Sequence, residues 1–145
     1  MLYKIQILDA DGELLKVCKI TDIANGFEGI DLVGAFLHGA QLPNANLRGA
    51  TLYWVNFVEA NLDGANLERA NLQGINLRDA SCIRTNFRGA NLGRYNLGGA
   101  SQLQGANLSQ AILNRANLEG AEFDDTTVFP KGFVPRAYGM TETKA

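Results

Sequence analysis

From Leu32 onward, a large apolar residue returns at every fifth position. The series runs Leu32, Leu37, Leu42, Leu47, Leu52, Phe57, Leu62, Leu67, Leu72, Leu77, Cys82, Phe87, Leu92 and Leu97. The spacing then widens to six at Leu103, and the fives resume at Leu108, Leu113, Leu118, Phe123 and Val128. Alanine stands two residues before most of these centres, as in Ala40, Ala60, Ala80 and Ala106. A period of five suits neither regular element. On a helix it advances the direction by about 140° beyond a full turn, which scatters the leucines around the axis. On a straight strand it sends successive leucines to opposite faces.

Within one unit, however, Ala at i−2 and Leu at i share a strand side. The chain can run extended for about three residues, turn a corner, and point the next Ala–Leu pair inward again. Four such corners close a square coil of four units, and stacked coils bury a column of leucines beside a column of alanines. The corner residues agree. Glycine recurs at i+2, as in Gly34, Gly49, Gly74, Gly89 and Gly105, where a tight turn calls for positive φ. Asparagine recurs at i−1, as in Asn46, Asn56, Asn61 and Asn71, where a short side chain can bond the local backbone or its stacked neighbour.

The units ANLRG, ANLDG, ANLER, ANLQG and ANLEG resemble the A-(N/D)-L-x-x consensus of pentapeptide repeat proteins over roughly residues 30–130. The resemblance implies an all-β fold, a right-handed quadrilateral β-helix, here a solenoid of about five coils. At the strand spacing of ~4.8 Å, five coils stand about 24 Å tall. The ending from Thr127 to Pro135 also resembles tails of cyanobacterial members. Neither end of such a column can be left bare. Residues 2–8 and 14–20 read as two strands around the turn signal Asp11-Gly12, so residues 1–29 are expected to form an N-terminal β-hairpin cap. Residues 131–145 are expected to form an irregular capping tail whose end is disordered.

Composition adds exclusions. The chain has 145 residues and a formal net charge of −2, without the basic excess of a nucleic-acid binder. The N-terminus carries charges after short apolar runs and reads as neither signal peptide nor membrane span. Cys18 and Cys82 form no CxxC pair and read as free thiols of a cytoplasmic protein. The single histidine, His38, faces outward. Neither a metal pair nor a phosphate loop is present, and Asp9–Glu13 reads as a hairpin turn rather than a calcium loop. The chain is therefore expected to be no enzyme and to carry neither metal nor cofactor.

Stacking every fourth unit assigns side chains to columns. One inward column reads Ala35, Val55, Ile75, Tyr95, Ala116. An outward column reads Gly34, Trp54, Gly74, Arg94, Arg115, and Arg48, Glu68 and Arg88 alternate in charge as a ladder. Glu59 and Asp79 stack as like charges. Aromatic and arginine residues together mark protein interfaces, so Tyr53, Trp54, Arg94 and Arg115 form the candidate interaction surface. The alternative is that a terminal segment folds over Trp54. The six-residue step reads as a one-residue β-bulge at Ser101 and Gln102, with Ala100 inward and one polar side chain pushed out.

The function expected is a non-enzymatic protein-interaction module, monomer or weak dimer, that docks an unidentified protein and touches neither nucleic acid nor membrane. The resemblance implies two alternatives. One is a DNA-mimicking modulator of DNA gyrase, which needs a strong acidic field that the arginines interrupt. The other is a regulator of heterocyst differentiation that binds a transcription regulator.

Overall fold

The computed structural model describes residues 3–20, 25–96 and 99–144. Leu97 and Gly98, expected at a repeat centre and its flank, lie outside them, as does Leu2. The fold is all-β, a β-helix built from single-residue parallel bridges rather than long strands. Asp31 bridges Thr51, Phe36 bridges Asn56, Gln41 bridges Asn61 and Asn46 bridges Asn66, each partner standing four units further on. Four five-residue units thus make one turn. We call their stacked runs the first face (centres Leu32, Leu52, Leu72), the second (Leu37, Phe57, Leu77), the third (Leu42, Leu62, Cys82) and the fourth (Phe27, Leu47, Leu67, Phe87).

The local chemistry explains each unit. The backbone N–H at i+3 returns to the carbonyl at i, as from Ala35 to Leu32 at 3.0 Å and from Ala60 to Phe57 at 3.0 Å. The third residue of that turn is left-handed, the geometry a type II turn requires. It is glycine in many units. In eight others it is a side-chain residue at φ between 56° and 59°, among them Asn44, Trp54, Arg69, Arg84 and Arg115. Asparagines at i−1 do both things expected of them. Asn56 Oδ1 accepts the Val58 N–H at 3.0 Å, and Asn117 Nδ2 donates to Asn91 Oδ1 on the turn above at 3.1 Å. Inside, Leu37, Leu47, Leu52, Leu62, Leu67 and Leu72 have no exposed surface, and alanines fill the gaps between them.

The break in the beat is where the sequence reading fails. Asn71 still bridges Asn91, four units on. Asn76 instead bridges Gln102 and Ser81 bridges Asn107, both six positions beyond the regular step. The chain therefore makes a six-residue excursion after Arg94, not a one-residue bulge. Ser101, not Ala100, is the inward residue before Leu103. It is fully buried, and its hydroxyl donates to the Leu72 carbonyl at 3.1 Å. Gln102 is an ordinary bridge residue between Asn76 and Glu122. Tyr95, expected inward, is half-buried outside the core. The physical reason is room and polarity: the space beneath Val55 and Ile75 takes a serine with a carbonyl partner, whereas an inward tyrosine would need both volume and a mate for its hydroxyl. Every later unit moves round by one face. Leu103, Leu108, Leu113 and Leu118 stack under Leu77, Cys82, Phe87 and Leu92 respectively.

The ends are held differently. β1 (Tyr3–Leu8) and β2 (Leu14–Ile20) form the antiparallel hairpin. Asp9 Oδ1 accepts the N–H groups of Asp11 and Glu13 at 3.0 and 2.8 Å, a turn role. Gln41 N–H donates to Leu8 O at 2.7 Å, and Ile7 and Cys18 join the core of the column. At the other end Val128, expected as an inward centre, is 46% exposed; it is the bridge residue to Asn107, and Phe129 turns inward instead. Phe129 continues a run of ring contacts through Phe133 to Tyr138 on the 3-10 turn Pro135–Tyr138. Near the end of the tail, where disorder is expected, the chain forms strand β4 (Thr141–Glu142), which pairs in parallel with β3 (Glu122–Phe123).

Candidate functional site

The corner between the first and second faces carries Gly34, Trp54, Gly74, Arg94 and, across the excursion, Gly120. Large and small residues alternate there for a packing reason. A side chain at a corner leans along the column over the next turn. A methyl group at Gly74 would sit 2.5 Å from Trp54 Cδ1, and one at Gly120 would sit 3.4 Å from Arg94 Cβ and 3.5 Å from its Nε. So Trp54 lies over Gly74, and Arg94 over Gly120. The same rule places Arg69 over Gly89, where a methyl group would meet Arg69 Cγ at 3.5 Å.

Trp54 is braced from its own chain and stays 47% exposed. Tyr95 at the start of the excursion meets it edge-on, with ring centroids 4.6 Å apart, and meets Tyr53 at 5.6 Å. The excursion closes on itself through Tyr95 N–H to Gly99 O at 3.0 Å, which brings Gly99 against the indole. The Tyr53 hydroxyl accepts from Asn71 Nδ2 at 2.7 Å, and Gln73 Nε2 donates to the Arg94 carbonyl at 3.2 Å. The cover expected from a terminal segment thus comes from the middle of the chain. The sequence reading missed Tyr95, Gln73 and Gly99 as members of this corner. One signal could have found Tyr95: it is the only aromatic residue at an i−2 position.

Arg115 does not stack on Trp54. Gly89 N–H donates to Asn114 O, so Arg115 follows Gly49, Arg69 and Gly89 on the corner between the fourth and first faces. The four expected surface residues therefore frame two sides of the first face rather than one corner. The charge ladder also stops short. Arg48 meets Glu28 at 3.1 Å and Glu68 at 3.8 Å, and Arg69 meets Glu68 at 3.8 Å. Arg88, Arg94 and Arg115 make no ion pair among the described residues.

Other chemistry is sparse. Both cysteines are free and buried. Burial, and secondarily the nearby Asp63 charge, pushes the Cys82 thiol up to about 12. Burial also raises Cys18, against the lowering charge of Lys16. His38 Nε2 lies 3.1 Å from Glu59 Oε2 on the surface. No group of three or more metal-ligating side chains occurs among the described residues, and no helix among them is long and apolar enough to cross a membrane. A cavity of about 780 Å³ lies at the tail, lined by Asp125, Arg136, Met140 and β4 with its neighbours; none of the surface residues expected from the sequence reaches it.

Comparison with known proteins places this geometry. The family profile described as pentapeptide repeats matches in 8 copies, over residues 27–57, 56–94 and 101–128. The matches resume at residue 101, the inward serine, and skip the excursion. Among solved structures, the chain is similar to a pentapeptide repeat protein, Rfr23, from the cyanobacterium Cyanothece 51142: 32% identity over 77% of this chain and 71% of that one, TM-score 0.65. It is also similar to a pentapeptide repeat protein of the Arabidopsis thaliana thylakoid lumen: 27% identity, 72% and 77% coverage, TM-score 0.54. HetL of Nostoc, a pentapeptide repeat protein involved in heterocyst differentiation regulation, shares 28% identity over 78% of this chain and 64% of that one, with a TM-score of 0.25. No curated protein matches the chain in sequence.

Proposed function

The chain belongs to the pentapeptide repeat family, and from that premise we propose that it is a non-enzymatic interaction module that docks a partner protein on the outer surface around Trp54. One observation carries the reading. A half-exposed tryptophan is held at φ 57°, a conformation costly for a bulky side chain, while Tyr95, itself packed on Tyr53, braces it edge-on and Arg94, without an ion pair among the described residues, follows it along the corner. Rigid exposed aromatic and arginine side chains are the usual anchors of protein interfaces. A stacked column gives such anchors fixed positions at little entropic cost on binding.

The same proposal takes the β-helix as right-handed and quadrilateral, with about five coils. It divides the chain into a hairpin cap to residue 29, a repeat column over 30–130 and a capping tail. It places the protein in the cytoplasm, which two free buried thiols support, as a monomer or weak dimer. DNA mimicry ranks lower, because Arg78 and Arg84 interrupt the acids of the second and third faces. Heterocyst regulation rests on the resemblance alone.

Trp54→Arg is the test. Arginine already occupies the same left-handed position at residues 69, 84 and 115, so the turn should keep its shape. Pull-down from the native organism should lose its partner with this variant, while the melting midpoint stays within a few degrees. A partner retained by the variant overturns the reading, and so does a midpoint that falls as far as binding does.

A further inference from the structure

The excursion moves Arg115 away from Trp54 and so gives the first face two raised edges. Along one edge run Trp54, Tyr95 and Arg94. Along the other run Arg69 and Arg115, both at left-handed corners, with Arg88 on the adjoining fourth face. The floor between them is short and polar. Asn91 Oδ1 accepts the Gly93 N–H at 3.0 Å, Gln73 is tied to the Arg94 carbonyl, and Asn71 holds the Tyr53 hydroxyl. The floor is wide enough for one extended chain, since each face is about three residues across.

Charge separates what this trough would accept. Arg88, Arg94 and Arg115 make no ion pair among the described residues, while Arg69 and Arg48 share Glu68. Acids on the face itself stand only at its ends, at Asp31 and Glu119. Asp31 Oδ1 is engaged by the Val33 N–H at 3.0 Å, and Glu119 leans towards Gly139. The acids Glu59, Asp63 and Asp79 sit on the second and third faces. The middle of the trough is therefore a cationic strip beside an aromatic edge.

We propose that this trough binds an extended acidic segment of the partner protein, with carboxylates on Arg94, Arg115 and Arg88 and an apolar or proline side chain against Trp54 and Tyr53. The inference rests on the docking reading above and adds the chemistry of what docks. Proline suits the site because a pre-extended chain loses little entropy when it lies down and its ring packs on aromatic faces. Glutamate suits it because exposed guanidiniums without an ion pair gain fork-like contacts from an incoming carboxylate.

The probe is a short labelled peptide of alternating glutamate and proline, titrated against the full chain at low salt. A lysine–proline peptide and a short oligothymidylate serve as comparisons. Trp54 is the only tryptophan, so its emission reports on the site directly. The glutamate peptide should bind, shift Trp54 emission and release as salt rises. Arg94→Gln with Arg115→Gln should weaken it about tenfold without moving the melting midpoint. Gln110 already sits at φ 59°, so glutamine fits the Arg115 turn. No binding, equal binding of the lysine peptide, or an unchanged affinity in the double variant overturns the proposal. Tighter binding of oligothymidylate overturns it in favour of a single-stranded nucleic acid. If Trp54→Arg loses the native partner while the glutamate peptide fails to bind, the docking reading stands and the acidic segment falls. If the partner also survives Trp54→Arg, both fall.

Discussion

Taken one residue at a time, the corner glycines do two separable jobs. Gly34 and Gly74 have φ of 68° and 69°, but the space outside Gly34 is open, whereas Trp54 fills the space outside Gly74. Gly34→Ala should therefore cost about 1 kcal/mol of backbone strain. Gly74→Ala should cost more and also lift the indole, which a shift in tryptophan emission would record. Equal costs with unchanged emission would show that Trp54 does not rest on Gly74. Cys82 makes a second prediction, with the sign worked out from its raised pKa. The folded state keeps the thiol neutral to about pH 12, while the unfolded chain ionises it near the ordinary thiol value. Its contribution is complete below that value and is lost as pH rises between them. The Cys82→Ala variant should accordingly lose less stability than the parent between pH 9 and 11 in urea titrations. Thiol reagents should label neither cysteine of the native protein at pH 8.

Among the elements, the excursion is a removable insert. Deleting Tyr95–Ala100 joins Arg94 to Ser101 and restores an unbroken run of fives, with Ser101 inward and Leu103 at the centre. The shortened chain should fold, at a cost of about 1 kcal/mol for the lost Trp54–Tyr95 contact. Circular dichroism and a urea melt would check this. A chain that fails to fold would show that Tyr95–Ala100 is no removable insert. On the sequence alone YNLGG passes for a regular unit, with a leucine centre and a glycine corner, which leaves one extra residue to place. What a linear spacing rule could not weigh was whether the core has room for Tyr95. That depends on Val55 and Ile75 above it, which only the stacked turns bring together.

For the molecule as a column, the ends decide stability. The tail gives the last turn its cover through β4 and the Phe129–Phe133–Tyr138 ring contacts. Ending the chain at Phe129 would bare the β3 edge and Phe123. The truncated protein should melt at least about 5 °C lower and associate in sedimentation as its concentration rises. A truncated protein that melts normally as a monomer would show that the tail is no cap. The exposed apolar residues Val33 and Phe36 lie near the other end, where residues 21–24 fall outside the described structure.

The repeating unit is legible in the chain before any fold is known. Spacing, the alanine beside each leucine, the corner glycines and the asparagines are all local chemistry, and each acts within a single unit or its immediate neighbour. The hairpin is legible too, because Asp11-Gly12 and the alternating strands around it are local as well. Which unit stacks on which is a matter of packing between turns. A six-residue step in the spacing is compatible with one extra residue in a strand or with a six-residue shift in which turns pair. The choice depends on packing volume across successive turns of the column, between residues at least four units apart in the chain. That choice moved Arg115 to another corner, set Tyr95 against Trp54 and turned a supposed single patch into a face with two edges. Val128 and Phe129 exchanged roles for the same reason, since only stacking on Leu108 settles which of them turns inward.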